Sequence, residues 1–165
     1  MISAILKIKF DICGSYRRGA LESGDVDILI SQNDGDLKKI VKKLQKNNII
    51  IDSLTTEGST KFMGIYRIND MSALALALAP APAPVPAPAR RIDIRLVSPD
   101  SYYAALLYFT GNKNFNIYLR QKAIDNGYTL NEYGLKFNDE LRVLKSENEI
   151  FEILNISVID PEKRT

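Results

Sequence analysis

Hydrophobic and polar residues alternate along LKIKFDIC (6–13), the period of a half-buried strand. Gly14-Ser15 interrupts it, and YRRGALES (16–23) predicts two turns of helix with Ser15 as N-cap. After Gly24, DVDILI (25–30) is a strand rich in branched residues. The period then changes over DLKKIVKKLQK (36–46). Leu37, Ile40, Val41 and Leu44 share one helical face, and Lys38, Lys39, Lys42, Lys43 and Lys46 share the other. A strand at 49–54, a glycine-containing turn and a second strand, KFMGIYRI (61–68), follow, and RRIDIRLV (90–97) alternates once more.

From there the pattern is mainly helical. PDSYYAALLYF (99–109) starts on Pro99, stops at Thr110-Gly111 and offers Tyr102, Tyr103, Leu106 and Leu107 to a core. NFNIYLRQKAIDNG (114–127) is a second helix closed by Asn126-Gly127. YTLNEYGLKF, an NDE turn and LRVL predict a hairpin, and SENEIFEIL opens with a capping box from Ser146 to Glu149. The order β-α-β-α-β-β-β, then mostly helix, is that of an α+β protein with a sheet lobe and a helical lobe.

One stretch fits neither period: SALALALAPAPAPVPAPA, residues 72–89. Alternate prolines lock φ and remove N–H donors, so polyproline II is expected over the Pro-Ala section. At about 3.1 Å per residue, 80–88 would reach roughly 28 Å as a semi-stiff connection between two strands.

Composition narrows the chemistry. The 165 residues suffice for one domain or two small lobes with a real core. The chain contains no histidine, which removes histidine zinc sites, triads and imidazole acid–base catalysis. The lone Cys13 fits an intracellular, reducing setting. No segment has the pattern of a signal peptide, and the Leu-Ala run is too short to span a bilayer, so no membrane partner is expected. Residues 1–96 carry 14 basic and 10 acidic side chains, and residues 97–165 carry 8 and 10. The excess of positive charge in the first lobe points weakly to an anionic partner.

The candidate chemistry lies in the carboxylates. Residues two apart in a strand share a face, so Asp25 and Asp27 point one way, opposite Val26, Ile28 and Ile30. In the later strand Arg91, Asp93 and Arg95 share one face and Ile92, Ile94 and Leu96 the other. If the two strands are neighbours, three carboxylates gather on one polar patch. Such anions repel and resist desolvation unless something positive sits among them, and a hard divalent cation meets that need. A pair of Mg²⁺ ions held this way stabilises the attacking and leaving oxygens of a phosphoryl transfer. Gly14-Ser15 at a helix start offers backbone N–H groups and a hydroxyl to a phosphate, and Arg18 a forked donor. Taken singly, an acidic pair at a strand edge is commonly just solvated; the combination is what is specific.

In order along the chain, CGSYRRGALESGDVDILI, TKFMG, RRIDIRLV, YYAALLYFTGN, GYTLNEYGL and the closing DPEKR resemble the family X DNA polymerases, the group of DNA polymerase beta. The likeness covers nearly the whole chain and implies a nucleotidyltransferase-type palm over residues 1–97 and a thumb over 98–165, with 72–89 as a connection inside the palm. It implies that Asp25, Asp27 and Asp93 bind two Mg²⁺ ions, with Mn²⁺ able to substitute, and that Asp93 helps to activate the primer 3′-hydroxyl. Gly14, Ser15, Arg18, Ser23 and Gly24 match residues that hold the triphosphate, and Tyr108, Phe109 and Gly111 match those against which the incoming sugar packs. Asn116 and Arg120 match residues facing the minor groove of the nascent pair and the template. Arg91, with Arg95 on the same face, matches the neighbourhood of the primer terminus; Lys61 matches a DNA-contacting lysine; Glu132 and Tyr133 match a pair that positions the closed thumb. Lys113 stands beside the incoming base, where the animal enzyme has an acidic residue.

The expected function is therefore template-directed DNA synthesis by a monomer on primed or gapped duplex, using deoxynucleoside triphosphates, as in short-gap filling during base excision repair. Nothing in the chain matches a lyase domain or helix-hairpin-helix fingers, so lyase activity is not expected. Only twelve residues precede Cys13, which fits either a viral-type minimal enzyme or an incomplete start. Two other readings stay open: a template-independent or small-molecule nucleotidyltransferase, and a non-catalytic DNA-gap-binding scaffold.

Overall fold

Two apolar patterns with different periods build two layers that meet at one seam. The computed structural model describes residues 8–33, 36–55, 58–67 and 89–164. The expected polyproline II connection falls outside those residues, except for the exposed Ala89.

The first lobe is a mixed five-stranded sheet of β1 (Phe10–Ile12), β2 (Asp25–Ser31), β3 (Ile50–Ser53), β4 (Lys61–Tyr66) and β5 (Arg90–Val97). Its spatial order is β1-β2-β5-β4-β3, and β2 and β5 are parallel neighbours. Ile28, Ile30, Phe62, Ile92 and Ile94 face one side, where α2 (Leu37–Lys46) lies against them through Leu37, Val41 and Leu44. Burying such side chains is worth about 1.5–3 kcal/mol each, which holds the amphipathic helix on the sheet. Asp36 caps α2 by accepting from Lys39 N at 3.3 Å.

The other side of the same sheet is polar at its β2–β5 centre and apolar at one edge. There Leu29 and Cys13 pack with Ala105 and Leu106 of α3 (Tyr102–Thr110), which follows a 3₁₀ turn at Pro99–Ser101. Leu106 and Leu107 are buried as expected, and Tyr102 and Tyr103 are half-buried. Beyond α3 come α4 (Lys113–Asp125), a small sheet of β6 (Tyr128–Asn131), β7 (Gly134–Phe137) and β8 (Glu140–Leu141), and α5 (Asn148–Ile153). Leu107, Phe115, Leu119, Leu135, Ile150 and Phe151 form the second core.

Several expectations are corrected. The first helix, α1, is a single turn, Gly14–Arg17, with Cys13 at its N-cap and no side-chain cap. Ser15 lies inside it. Gly19 at φ 76° ends it, with Gly19 N donating to Tyr16 O at 3.0 Å and Ala20 N to Ser15 O at 3.0 Å. The expected hairpin across the NDE turn is present as β7 and β8, with Asn138 and Asp139 at positive φ, but YTLNEYGLKF, expected as one arm, is itself folded into β6 and β7 around Glu132-Tyr133. The capping box is half made. Ser146 Oγ accepts from Glu149 N at 3.3 Å, but the Glu149 carboxylate accepts from Lys145 N at 2.7 Å.

Candidate active site

The parallel register sets Asp25 beside Arg91, Asp27 beside Asp93 and Leu29 beside Arg95. Residues paired in register share a face, so the carboxylates stand together on the side of the sheet that the second lobe covers. Antiparallel pairing with β4 adds Lys61 opposite Arg95 and Met63 opposite Asp93. The result is an acidic centre with a basic rim.

Within it the side chains are unequal. The Arg91 guanidinium forks onto Asp25, with Nε donating to Oδ1 at 2.8 Å and Nη2 to Oδ2, and this holds the Asp25 carboxyl below the usual range. Asp27 is the reverse. Burial first, then the charges of Asp93 and Asp25, raise its affinity for a proton. Burial likewise raises Asp93, against the opposing pull of Arg95 and Lys61. With Asp25 turned to Arg91, no three acidic, cysteine or histidine side chains among the described residues are gathered closely enough to hold an ion.

The donor set still fits a hard cation. Three carboxylates lie on adjacent strands of one face, and two of them carry a charge penalty that a cation would relieve. Asp25 would have to give up its fork from Arg91 to share an ion with Asp27.

Gly14 is required by this arrangement. Its φ is 59°, and a Cβ there would overlap the Asp27 carboxylate. The adjacent Cys13 is buried and its thiol is pushed up to about 12, chiefly by burial, so it is not a nucleophile. Ser23 Oγ donates to Asp25 O at 2.6 Å, which leaves it to accept from Ser15 Oγ at 2.9 Å. Arg90, absent from the sequence-based set, fixes this loop by donating to Ser23 O at 2.6 Å.

In front of the acidic centre opens a cleft of about 620 Å³. The triphosphate candidates Gly14, Ser15, Arg18, Ser23 and Gly24 line one side with Asp25 and Asp27. Tyr108, Phe109, Gly111, Lys113, Asn116 and Arg120 line the other. Asp93 opens instead on a small adjoining cavity shared with Asp27, Arg95 and Phe109. The second lobe holds its wall by short ties. Arg18 Nη1 donates to Thr110 O at 2.6 Å, and Asn116 Nδ2 donates to Tyr108 O at 2.8 Å. Arg120 lies over the Tyr108 ring at 5.1 Å and pairs with Glu132 at 3.5 Å, while Arg95 lies over the Phe109 ring at 5.1 Å.

The structure does not bring every candidate into the cleft. Arg91 is spent on Asp25, and Lys61 is exposed on β4. Arg95 and Tyr133 line a separate cavity of about 180 Å³ with Glu132, where Tyr133 O accepts from Ser101 Oγ at 2.8 Å. Thr110, Asn112 and Ile117 line the cleft without having been singled out. Asn112 carries the signal of an N-cap three residues before Phe115, whose N donates to its Oδ1 at 2.9 Å.

Residues 3–99 match the family model of the DNA polymerase beta palm, and residues 105–165 that of the DNA polymerase beta thumb. The chain belongs to the family X DNA polymerases. It is 27% identical to DNA polymerase lambda of Rattus norvegicus over 92% of its length, covering 28% of that protein. To DNA polymerase lambda of Arabidopsis thaliana it is 28% identical, covering 93% of this chain and 31% of the relative. To the DNA polymerase/3′-5′ exonuclease PolX of Bacillus subtilis it is 27% identical, covering 95% and 24%. The chain thus spans a third or less of the length of these curated relatives. In family terms the five-stranded sheet belongs to the palm and the wall carrying Tyr108 to Arg120 to the thumb.

Proposed function

We propose that the chain is a template-directed DNA polymerase that extends a primer 3′-hydroxyl from deoxynucleoside triphosphates on primed or gapped duplex. The observation that carries this reading is the pairing of Asp27 with Asp93, on the sheet face that fronts a cleft lined on its far side by Tyr108, Asn116 and Arg120. Mg²⁺ ions, which Mn²⁺ can replace, would be held by Asp25, Asp27 and Asp93 and would supply Lewis-acid stabilisation of the attacking and leaving oxygens.

The chain's own residues account for the rest. The Gly14 and Ser15 N–H groups, the Ser15 and Ser23 hydroxyls and the Arg18 guanidinium line the cleft as hydrogen-bond donors and receive the triphosphate oxygens, with Arg18 offsetting part of their charge. Tyr108 and Phe109, edge to face at 5.1 Å, form the side of the cleft against which the sugar packs. Asn116 and Arg120 lie one helical turn apart on α4 and reach across the base pair. Asp93 takes the proton of the primer 3′-hydroxyl. The 3′-oxygen then bonds to the α-phosphorus, the bond to the bridging oxygen breaks and pyrophosphate leaves. Asp25 joins the acidic centre by releasing Arg91, which is then free to meet the primer strand.

Short-gap filling in base excision repair is the setting we assign to this reaction, in the nucleus or a cytoplasmic site of viral replication. Extension of a gapped duplex with Mg²⁺ or Mn²⁺ tests the mechanism: Asp93→Ala should abolish it, and surviving extension removes the role given to Asp93. Equal incorporation with and without a template would favour a template-independent transferase. No triphosphate binding by calorimetry at millimolar Mg²⁺ would favour a gap-binding scaffold.

A further inference from the structure

The lysine face of α2 takes no part in the cleft. Lys38, Lys39, Lys42, Lys43 and Lys46 are all exposed on a ten-residue helix. Among the described residues their only ion pair is Lys39 with Asp36 at 3.5 Å, on a lysine side chain that is 85% exposed. Lys38 with Lys42, Lys39 with Lys43, and Lys42 with Lys46 are i,i+4 pairs of like charge, a spacing that destabilises a helix on its own. The helix thus retains a repulsion that an anionic partner would relieve.

Position decides which partner. The helix packs through Leu37, Val41 and Leu44 on the Ile28, Ile92 and Ile94 face of the sheet. The carboxylates and the thumb lie on the opposite face. A duplex seated in the cleft is too stiff to bend around the sheet within a few base pairs, since its persistence length is about 150 base pairs. A lipid surface fits poorly, because Leu37, Val41 and Leu44 of α2 are buried and Ile40 packs against the same core, which leaves little apolar surface to insert. Flexible point charges about 1.5 Å of helix rise apart per residue, with no groove between them, suit a phosphate backbone read without sequence preference.

We propose that the lysine face of α2 binds the phosphate backbone of a second duplex segment, distinct from the one in the cleft. The choice of DNA as the polyanion rests on the polymerase reading above. The test is binding of a short blunt-ended duplex by the full chain between about 50 and 200 mM salt, followed by fluorescence anisotropy. Replacing the five lysines by glutamine should make the slope of log affinity against log salt shallower by about 2.7, the value for three lost phosphate contacts. Replacing them by arginine should preserve it. The glutamine variant should melt no lower than the wild type, because glutamine is as good a helix former and the like-charge pairs are gone. Saturated incorporation on a gapped duplex should stay within about twofold, since none of these side chains lines the cleft.

An unchanged slope overturns the proposal, as does a lowered melting temperature, which would mean that the lysines hold the fold. Lysine-dependent binding to phosphatidylserine vesicles with an unchanged duplex slope overturns it in favour of a membrane. A reduced slope in a chain that incorporates no nucleotide would sink the polymerase reading alone and leave the lysine surface standing.

Discussion

Charge is handled in opposite ways at two places a short distance apart. On the palm face, Asp27 and Asp93 are left beside each other with raised proton affinity, and Asp25 is satisfied only by an arginine that is itself 58% exposed. At the seam between palm and thumb, Glu147 is met from both sides. Arg17 Nη2 donates to it at 2.7 Å from α1, and Arg164 Nη1 at 2.7 Å from the chain's end. Arg17 also donates to Thr110 Oγ1 at 2.6 Å, and Arg164 stacks over Phe115 at 5.1 Å and Phe151 at 5.6 Å. Burial disfavours the Glu147 charge, but the two arginines more than offset it and its carboxyl stays below the usual range. The seam is an ion triad with its hydrogen bonds made, whereas on the palm face burial outweighs the pull of the nearby cations on Asp27 and Asp93. A charge penalty of that kind is tolerable where binding will relieve it.

The sharpest test of this contrast is Asp27→Asn. It removes a charge that costs stability and that the proposed reaction requires, so the two readouts should part. Incorporation should fall by about 10³-fold, several kcal/mol of lost transition-state stabilisation. The urea midpoint, measured with a chelator present, should stay level or rise. A midpoint that falls would mean Asp27 is structural, and the contrast would fail on that side.

Glu147→Gln is the mirror image. Two guanidiniums, one belonging to the 2%-exposed Arg164, would face a neutral amide. Breaking such a buried set by one partner costs about 3 kcal/mol or more, read as a lower urea midpoint. Activity at a temperature where the variant is folded should suffer less than in Asp27→Asn, since Glu147 does not line the cleft.

The two regions also titrate with opposite sign. The Glu147 carboxyl sits below its ordinary 4.5, so the stability it contributes is full above that value and is lost as pH falls through the folded-state value. Asp27 sits above its ordinary 3.8, so the native state binds the extra proton in the window just above 3.8, and stability rises as pH falls through it. Acid unfolding curves should therefore lose their steepest part in Glu147→Gln and become steeper in Asp27→Asn. Identical slopes in wild type and both variants would erase the distinction.

What could be read in advance follows the same divide. Asp25, Asp27 and Asp93 were legible because a strand's period of two fixes their face once their strands are neighbours. Gly14 and Ser15 were legible as a short local pattern, whereas Ser23, Tyr108, Phe109 and Gly111 came as site residues only through the resemblance to the family. Arg17 and Glu147, in contrast, stand 130 positions apart, and no period links them; only the tertiary fold, which sets the start of α5 against α1, does. The fork from Arg91 to Asp25 was also hidden, because Arg91 as a side chain on the same face fits a DNA contact equally well until the parallel register seats it beside Asp25. The first helix was overestimated because YRR has helical propensity but Gly19 turns the chain at φ 76°.

The smallest effect belongs to a residue that serves both sides. Asn112 lines the cleft and caps α4, accepting from Phe115 N at 2.9 Å, and α4 carries Asn116 and Arg120. Asn112→Ala should cost about 1 kcal/mol of stability. Asn116 is tied separately to Tyr108 O and Arg120 to Glu132, so the working face of α4 keeps two anchors. Saturated incorporation should then change only modestly, while Asn112→Asp, which restores the cap oxygen and adds a favourable charge at the helix N-terminus, should recover the midpoint. If Asn112→Ala instead abolishes incorporation and Asn112→Asp fails to restore it, Asn112 contacts the substrate directly and belongs with the unrelieved face.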